Sequence, residues 1–197
     1  MIAIVDYGVG NVHSVRRALS HVGAEAKLTA DPDELERASG IVLPGVGAFA
    51  PALAKLHENG LGRRIVELAN KGKPLLGVCL GYQLLFDEST ENGLHEGLGL
   101  LSGTVMEVTN SERLPVIGWC RMTQNERSPL WEGIEDETYF YFVHSYAPDH
   151  SRHTIGQTEH SPVAAAAKGN VMGTQFHPEK SGPNGLRVYQ NFVALAG

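Results

Sequence analysis

Cysteine is scarce in this chain, with only Cys79 and Cys120 among 197 residues. The two stand far apart in unlike contexts, which argues against a disulfide framework and against a multi-thiolate metal centre, so each thiol needs its own explanation. Basic charge is also short. Sixteen Lys and Arg against 22 Asp and Glu leave a formal net charge of −6, which offers no cationic field to a phosphate backbone or to anionic lipid. Binding of nucleic acid or membrane is not expected. No apolar run is long enough to span a bilayer, and Met1 leads straight into the strand-like Ile2-Ala3-Ile4-Val5 with no basic region before it. A cytoplasmic chain is the expectation. The nine histidines include no group at metal-ligand spacing, and there is no G-x-x-x-x-G-K-[ST] loop to cradle a nucleotide. In the glycine-rich "DYGVGN" at 6–11 the third glycine of a dinucleotide fingerprint falls at His13. No metal and no cofactor are predicted.

What is present is alternation. Short β-branched runs at 2–5, 41–44 and 74–79 alternate with helical patterns at 12–22, 48–57, 60–71 and 80–88, the signature of a parallel sheet flanked by helices. From residue 103 onward the pattern changes to strand candidates separated by turn residues: 103–108, 115–119, 138–147, 153–158, 163–169 and 171–179. These predict an antiparallel extension of the sheet. A last helix over 183–197 carries its apolar residues at Leu186, Tyr189, Phe192, Val193 and Leu195, a core-facing stripe. The fold class is α/β, with a mostly parallel central sheet, and no linker or repeat divides the expected single domain over 1–197.

One stretch carries chemistry. In "PLLGVCLGYQLL" at 74–85 an apolar strand pattern reaches Cys79 between Gly77 and Gly81, and helical sequence follows. The form G-x-C-x-G is that of a nucleophile elbow, in which glycines let a strand turn sharply into a helix and hold the corner residue out toward substrate. The helix start then points N–H groups at the corner, favouring thiolate and offering the Leu80 amide to an oxyanion. The same residues also suit a buried cysteine acting as a small hydrophobe.

A cysteine nucleophile needs a base. In "GTQFHPEKSG" at 173–182, an extended chain over 171–177 would project His177 and Glu179 to one side, with Pro178 stiffening the pair. That supplies a base and a carboxylate to orient it; an isolated H-P-E reads more simply as a surface turn, and pairing with the elbow reverses that balance. His144, in the aromatic "YFVHSY" at 141–146, is the rival base, and its setting suits a hydrogen-bonded core residue better. His150 and His153 read as solvated loop residues. The loop "LPGVGAF" at 43–49, with Gly45, Val46 and Gly47, either completes an oxyanion hole opposite Leu80 or is an ordinary strand-to-helix turn.

Together the elbow "GVCLGYQLL", the loop "LPGVGAF" and the tail "GTQFHPEKSG" resemble the triad-type (class I) glutamine amidotransferases. With "DYGVGN", "PVIGW" and "YFVHSY" in order across nearly the whole chain, the finer resemblance is to the glutaminase subunits of imidazole glycerol phosphate synthase in histidine biosynthesis. The resemblance implies a flavodoxin-like fold and hydrolysis of glutamine to glutamate and ammonia. It also implies a heterodimer in which ammonia passes to a (β/α)8-barrel cyclase subunit. On these positions Cys79 is the nucleophile, His177 the base and acid, and Glu179 the orienting carboxylate. Gln83, Ser145 and Tyr146 would bind glutamine, while Gly45, Val46, Gly47 and Leu80 would hold the oxyanion. Asn11, Trp119 and Lys180 match partner-facing regions.

One departure stands out. The family usually shows Pro-His-x-Gly-Trp-Asn where this chain has Pro115-Val116-Ile117-Gly118-Trp119-Cys120, which leaves catalysis intact and raises the question of partner coupling. Cys120 reads most simply as a small buried strand residue. A related barrel partner in another pathway, a glutaminase of vitamin B6 synthesis and a non-catalytic scaffold on the same fold are the alternatives.

Overall fold

The computed structural model describes residues 1–58 and 60–197. In chain order the elements of the first half are β1 (Ile2–Val5), α1 (Val12–His21), β2 (Ala26–Thr29), α2 (Pro32–Arg37), β3 (Gly40–Gly45), α3 (Phe49–Glu58), α4 (Leu61–Asn70), β4 (Leu75–Cys79) and α5 (Leu80–Gln83). Then follow β5 (Phe86–Ser89), β6 (His95–Glu96), β7 (Leu101–Glu107), β8 (Val116–Arg121), β9 (Thr123–Gln124), β10 (Tyr139–His144) and β11 (Tyr146–Pro148). The chain closes with β12 (Thr154–Gln157), β13 (Ala165–Lys168), β14 (Val171–Thr174) and α6 (Gly182–Ala196). Short 3₁₀ turns occupy Pro129–Trp131 and Pro178–Lys180.

An eight-stranded sheet in the order β2-β1-β3-β4-β14-β13-β12-β9 organises the molecule. The pairs from β2 to β14 are parallel, and those from β14 to β9 are antiparallel. Strands β1, β3 and β4 read as unbroken apolar runs because they are buried on both faces. Alternate residues divide accordingly. Ala3, Val5, Ile41, Leu43 and Leu75 pack with Leu53, Leu56 and Ile65 of α3 and α4, whereas Ile2, Ile4, Val42, Leu76 and Val78 pack with Val15 and Leu19 of α1 and Val188 and Phe192 of α6. Beside this sheet lie a hairpin of β8 and β10 and a four-stranded sheet, β11-β7-β5-β6.

Three sequence expectations need correction, and each bears on the site. The helix expected over 80–88 is a single turn, ending at Gln83, and β5 begins at Phe86. Leu84, Leu85 and Phe86 are all fully buried, as are the four residues of α5, so burial does not separate helix from strand here; the chain turns into the second sheet, where Phe86 pairs with Leu101. The strand expected over 138–147 is broken at Ser145: β10 pairs with β8 and β11 with β7. The strand expected over 171–179 stops at Thr174. The elements β2 and α2 were not marked by the sequence pattern, because β2 is a half-buried edge strand and α2 has six residues, started by Asp31 accepting from the Asp33 N–H at 2.9 Å.

Candidate active site

The parallel register of β3 and β4 sets Gly45 beside Cys79, at the ends of the strands where ligands gather in open parallel sheets. Cys79 has φ 54° and ψ −113°, a region that costs a side-chain-bearing residue on the order of 1–3 kcal/mol. Its neighbours show what the strain requires. A Cβ on Gly77 would lie 2.7 Å from Tyr82 Cα, and one on Gly81 would overlap the Leu43 carbonyl oxygen. Both glycines therefore permit the close approach of the turn to the sheet. Because α5 is one turn long, the field that a full helix would direct at the thiol is reduced to that of its first N–H groups.

His177 and Glu179 are brought together by the Pro178–Lys180 turn rather than by strand alternation. His177 Nδ1 lies 2.8 Å from Glu179 Oε1, and both side chains are almost wholly buried, at 2% and 1% exposed. The other carboxylate oxygen accepts from the Tyr189 hydroxyl at 3.3 Å. His177 Nε2 is buried with no hydrogen-bond partner among the described residues. Burial alone pulls the imidazole down, but the nearby Cys79, and the hydrogen bond and charge of Glu179, outweigh it and raise its pKa to about 9. The turn is fixed from below: the Ser181 hydroxyl donates to the His177 carbonyl at 2.7 Å and accepts from the Tyr141 N–H at 2.9 Å. Phe176 stacks on Phe140 with centroids 4.1 Å apart, which seats His177 against β10.

A cavity of about 260 Å³ opens above Cys79, lined by Val46, Gly47, Leu80, Gln83, Ser145, Tyr146 and His177 among others. The residues expected to bind substrate and oxyanion therefore converge, except Gly45, which pairs with Cys79 across the strands but does not line the cavity. The break at Ser145 explains why its neighbourhood faces the cavity: the chain is crossing there from one sheet to the other. Gln83 Nε2 donates to the Tyr146 carbonyl at 2.7 Å and to Gln175 Oε1 at 3.0 Å, so its amide protons are committed and Oε1 is left to meet a ligand. Gly47, at φ 100°, has nothing within 4 Å of a would-be Cβ. A larger open groove of about 720 Å³ beside Trp119, Arg121 and Tyr139 is also lined by Cys120 and His160, which make no hydrogen bond to each other among the described residues.

His144 is buried with Nε2 2.8 Å from Ser161 Oγ, and burial, followed by the charges of His160 and His177, lowers its pKa to about 4. It is built to stay neutral. Asn11 and Lys180 are exposed and lie outside the cavity, as does Trp119 at 54% exposed. Lys180 Nζ sits 5.8 Å from the Tyr141 ring centroid, and that ring meets Trp119 edge-on at 6.1 Å. Val116 points the other way, into a small cluster with Val108 and Ala147. Cys120 is half-buried and free, and burial, then Glu159, raise its pKa.

Three residues escaped the sequence reading. Glu91 lines the cavity and accepts from the Phe49 N–H at 2.8 Å; it lies in a polar turn that carries no local signal. Gln175 approaches Cys79 Sγ with its Nε2 at 3.9 Å, and its place two residues before His177 could have drawn notice. Tyr189 reads only as part of a helical stripe.

A family model described as glutamine amidotransferase class-I matches residues 3–196. The imidazole glycerol phosphate synthase subunit HisH of Geobacillus sp. (strain WCH70) is 46% identical, covering 99% of this chain and 97% of that protein. The subunit of the same name from Methanosarcina mazei is 45% identical, covering 98% of each. Among solved structures, PurLQS from Thermotoga maritima superposes with a TM-score of 0.80 at 21% identity, over 100% of this chain and 98% of that one, a likeness of fold. The chain belongs to the class-I glutamine amidotransferase family, among the HisH subunits of imidazole glycerol phosphate synthase.

Proposed function

We propose that the chain hydrolyses glutamine to glutamate and ammonia and delivers the ammonia to a (β/α)8-barrel cyclase subunit of imidazole glycerol phosphate synthase, as a heterodimer serving histidine biosynthesis in the cytoplasm. The observation that carries this reading is the Cys79–His177–Glu179 constellation beside the Gly45–Gly47 loop, in a chain of this family. His177 takes the thiol proton as the sulfur attacks the side-chain amide carbon of glutamine, forming a tetrahedral oxyanion. The Leu80 amide and an amide of the Val46–Gly47 segment would stabilise that oxygen. His177 then protonates the leaving nitrogen, ammonia departs, and a thioester remains. Water adds with His177 as base, and the C–S bond breaks to give glutamate and the restored thiol. Glu179 keeps Nδ1 protonated and the ring aimed at sulfur throughout.

The substrate's ends have chemical counterparts. Glu91 and Gln83 Oε1 offer acceptors to its ammonium, and backbone around Ser145 and Tyr146 suits its carboxylate. We assign the partner surface to the exposed face of the β8–β10 hairpin, where Ile117, Trp119 and Tyr139 are 63%, 54% and 55% exposed, together with Asn11 and Lys180. A partner is chemically necessary, since free ammonia is protonated at neutral pH and ceases to be a nucleophile. No helix among the described residues is long and apolar enough to cross a membrane, and a single catalytic unit over 1–197 fits the one family match. Because Val116 faces inward, the Pro115–Cys120 departure leaves the exposed docking residues in place, which favours the histidine-pathway cyclase over another barrel. Glutamate production by the chain alone and with that cyclase and its ligand tests the reading. Stimulation that Cys79→Ala abolishes is expected, and absence of stimulation would redirect the search to another acceptor.

A further inference from the structure

The hydroxyl of Tyr7 points into the base of the oxyanion loop, a place no role assigned above explains. The ladder between β1 and β3 ends at Ile4 and Val42, so at Pro44 the β1 side of the strand has lost its backbone partner. Tyr7, two residues past the end of β1, supplies one: its hydroxyl donates to the Pro44 carbonyl at 2.9 Å in a buried setting. The same oxygen would lie 2.8 Å from a Cβ on Gly45, as would the Gly81 N. Gly10, at φ 117°, closes on Gly45 from the same loop, with a would-be Cβ 3.5 Å from Gly45 Cα.

We propose that Tyr7 is a positioning residue for glutamine hydrolysis, pinning the Pro44–Gly45 peptide so that rotation in the oxyanion loop is confined to the Val46–Gly47 segment. The peptide is planar, so holding the Pro44 oxygen also fixes the direction of the Gly45 N–H. Beyond that point nothing crowds Gly47, and Val46 is 42% exposed. One end of the loop is clamped and the other is free to turn. Burial, followed by the charge of Cys79, holds the phenol well above the usual tyrosine range, so it stays a donor and takes no part in proton transfer.

The inference rests on the glutaminase reading, and the test separates the two. Tyr7→Phe, which keeps the ring and removes only the hydroxyl, is compared with the unaltered chain in the presence of the cyclase subunit. Rates are normalised to Cys79 titrated by iodoacetamide, so that only folded sites count. Expected is a fall in kcat of roughly tenfold or more, in the direction of lost oxyanion stabilisation, with KM for glutamine within about twofold. Iodoacetamide displaces iodide at carbon without forming an oxyanion, so its rate with Cys79 should not change. A purely structural tyrosine would lower the melting temperature and leave kcat per site unchanged, which overturns the proposal. A parallel loss of alkylation rate also overturns it, because the hydroxyl would then act on the thiol. An unaltered chain that makes no glutamate while its Cys79 still alkylates overturns the glutaminase reading, and the role of Tyr7 with it.

Discussion

At His177 two opposing influences meet, and their balance sets a pH window. Burial disfavours the charged ring, and Cys79 and Glu179 favour it more strongly, raising its pKa to about 9. The ring therefore carries its proton at neutral pH, ready for the departing nitrogen, and gives it up as pH climbs through that value. Glu179→Gln removes one of the two raising influences. We expect the alkaline limb of the kcat profile for glutamine to move to lower pH, with kcat at its maximum down about 10²-fold, in the range of a lost general acid–base contribution; a pH–rate series on both proteins measures it. A limb that stays near 9 would show that Cys79 alone holds the proton. The same shift has a stability sign. A raised histidine contributes stability that is complete below its unfolded value of about 6.5 and is lost as pH rises toward 9, so thermal unfolding should soften on the alkaline side, and less so in Glu179→Gln.

Among elements, the 3₁₀ turn after β14 does the work that a longer strand was expected to do. It is held to β10 through Ser181, whose hydroxyl serves the His177 carbonyl and the Tyr141 N–H while 2% exposed. Ser181→Ala leaves the Tyr141 N–H unpaired and the His177 carbonyl with only the Lys180 N–H at 3.0 Å, and a loss of roughly 1–3 kcal/mol follows from the one buried group left unsatisfied, read by urea unfolding. Activity should fall more than Cys79 alkylation does, since the base is displaced and the nucleophile is not. What the sequence made legible divides at the same place. The parallel strands and the amphipathic α1, α4 and α6 follow from buried runs and helical stripes. Gly77, Cys79 and Gly81 announce the elbow because the chemistry demands those residue types. The stop of α5 at Gln83 and the sheet change at Ser145 were hidden, because Leu84, Leu85 and Phe86 are apolar in any conformation and only tertiary packing decides between helix and strand. Glu91 was hidden for another reason: its place at the cavity comes from the return of a distant turn.

For the whole molecule, the hairpin of β8 and β10 separates interior from exposed face along a period of two. Val116 faces the cluster of Val108 and Ala147, while Ile117 and Trp119 face outward. Trp119→Ala should weaken association with the cyclase by at least about 30-fold, the size of a central aromatic anchor, in calorimetric titration. Val116→His, restoring the family's usual residue, should instead lower stability by burying a polar ring and leave the affinity within a few-fold. Equal effects of the two changes would mean that the hairpin docks by its other face.

The pairing of Gly45 with Cys79 across β3 and β4 makes the gap between the thiol and the loop a lattice constant of the sheet. Adjacent strands stand about 4.8 Å apart, and one residue advances about 3.3 Å along either of them. Inserting a residue within β3 before Gly45 would therefore displace the loop by a full step, which no side-chain adjustment could absorb. An insertion after Gly47 would alter only what lies downstream. The tolerance of this enzyme to length changes should have a sharp edge at residue 45, lenient on one side and absolute on the other.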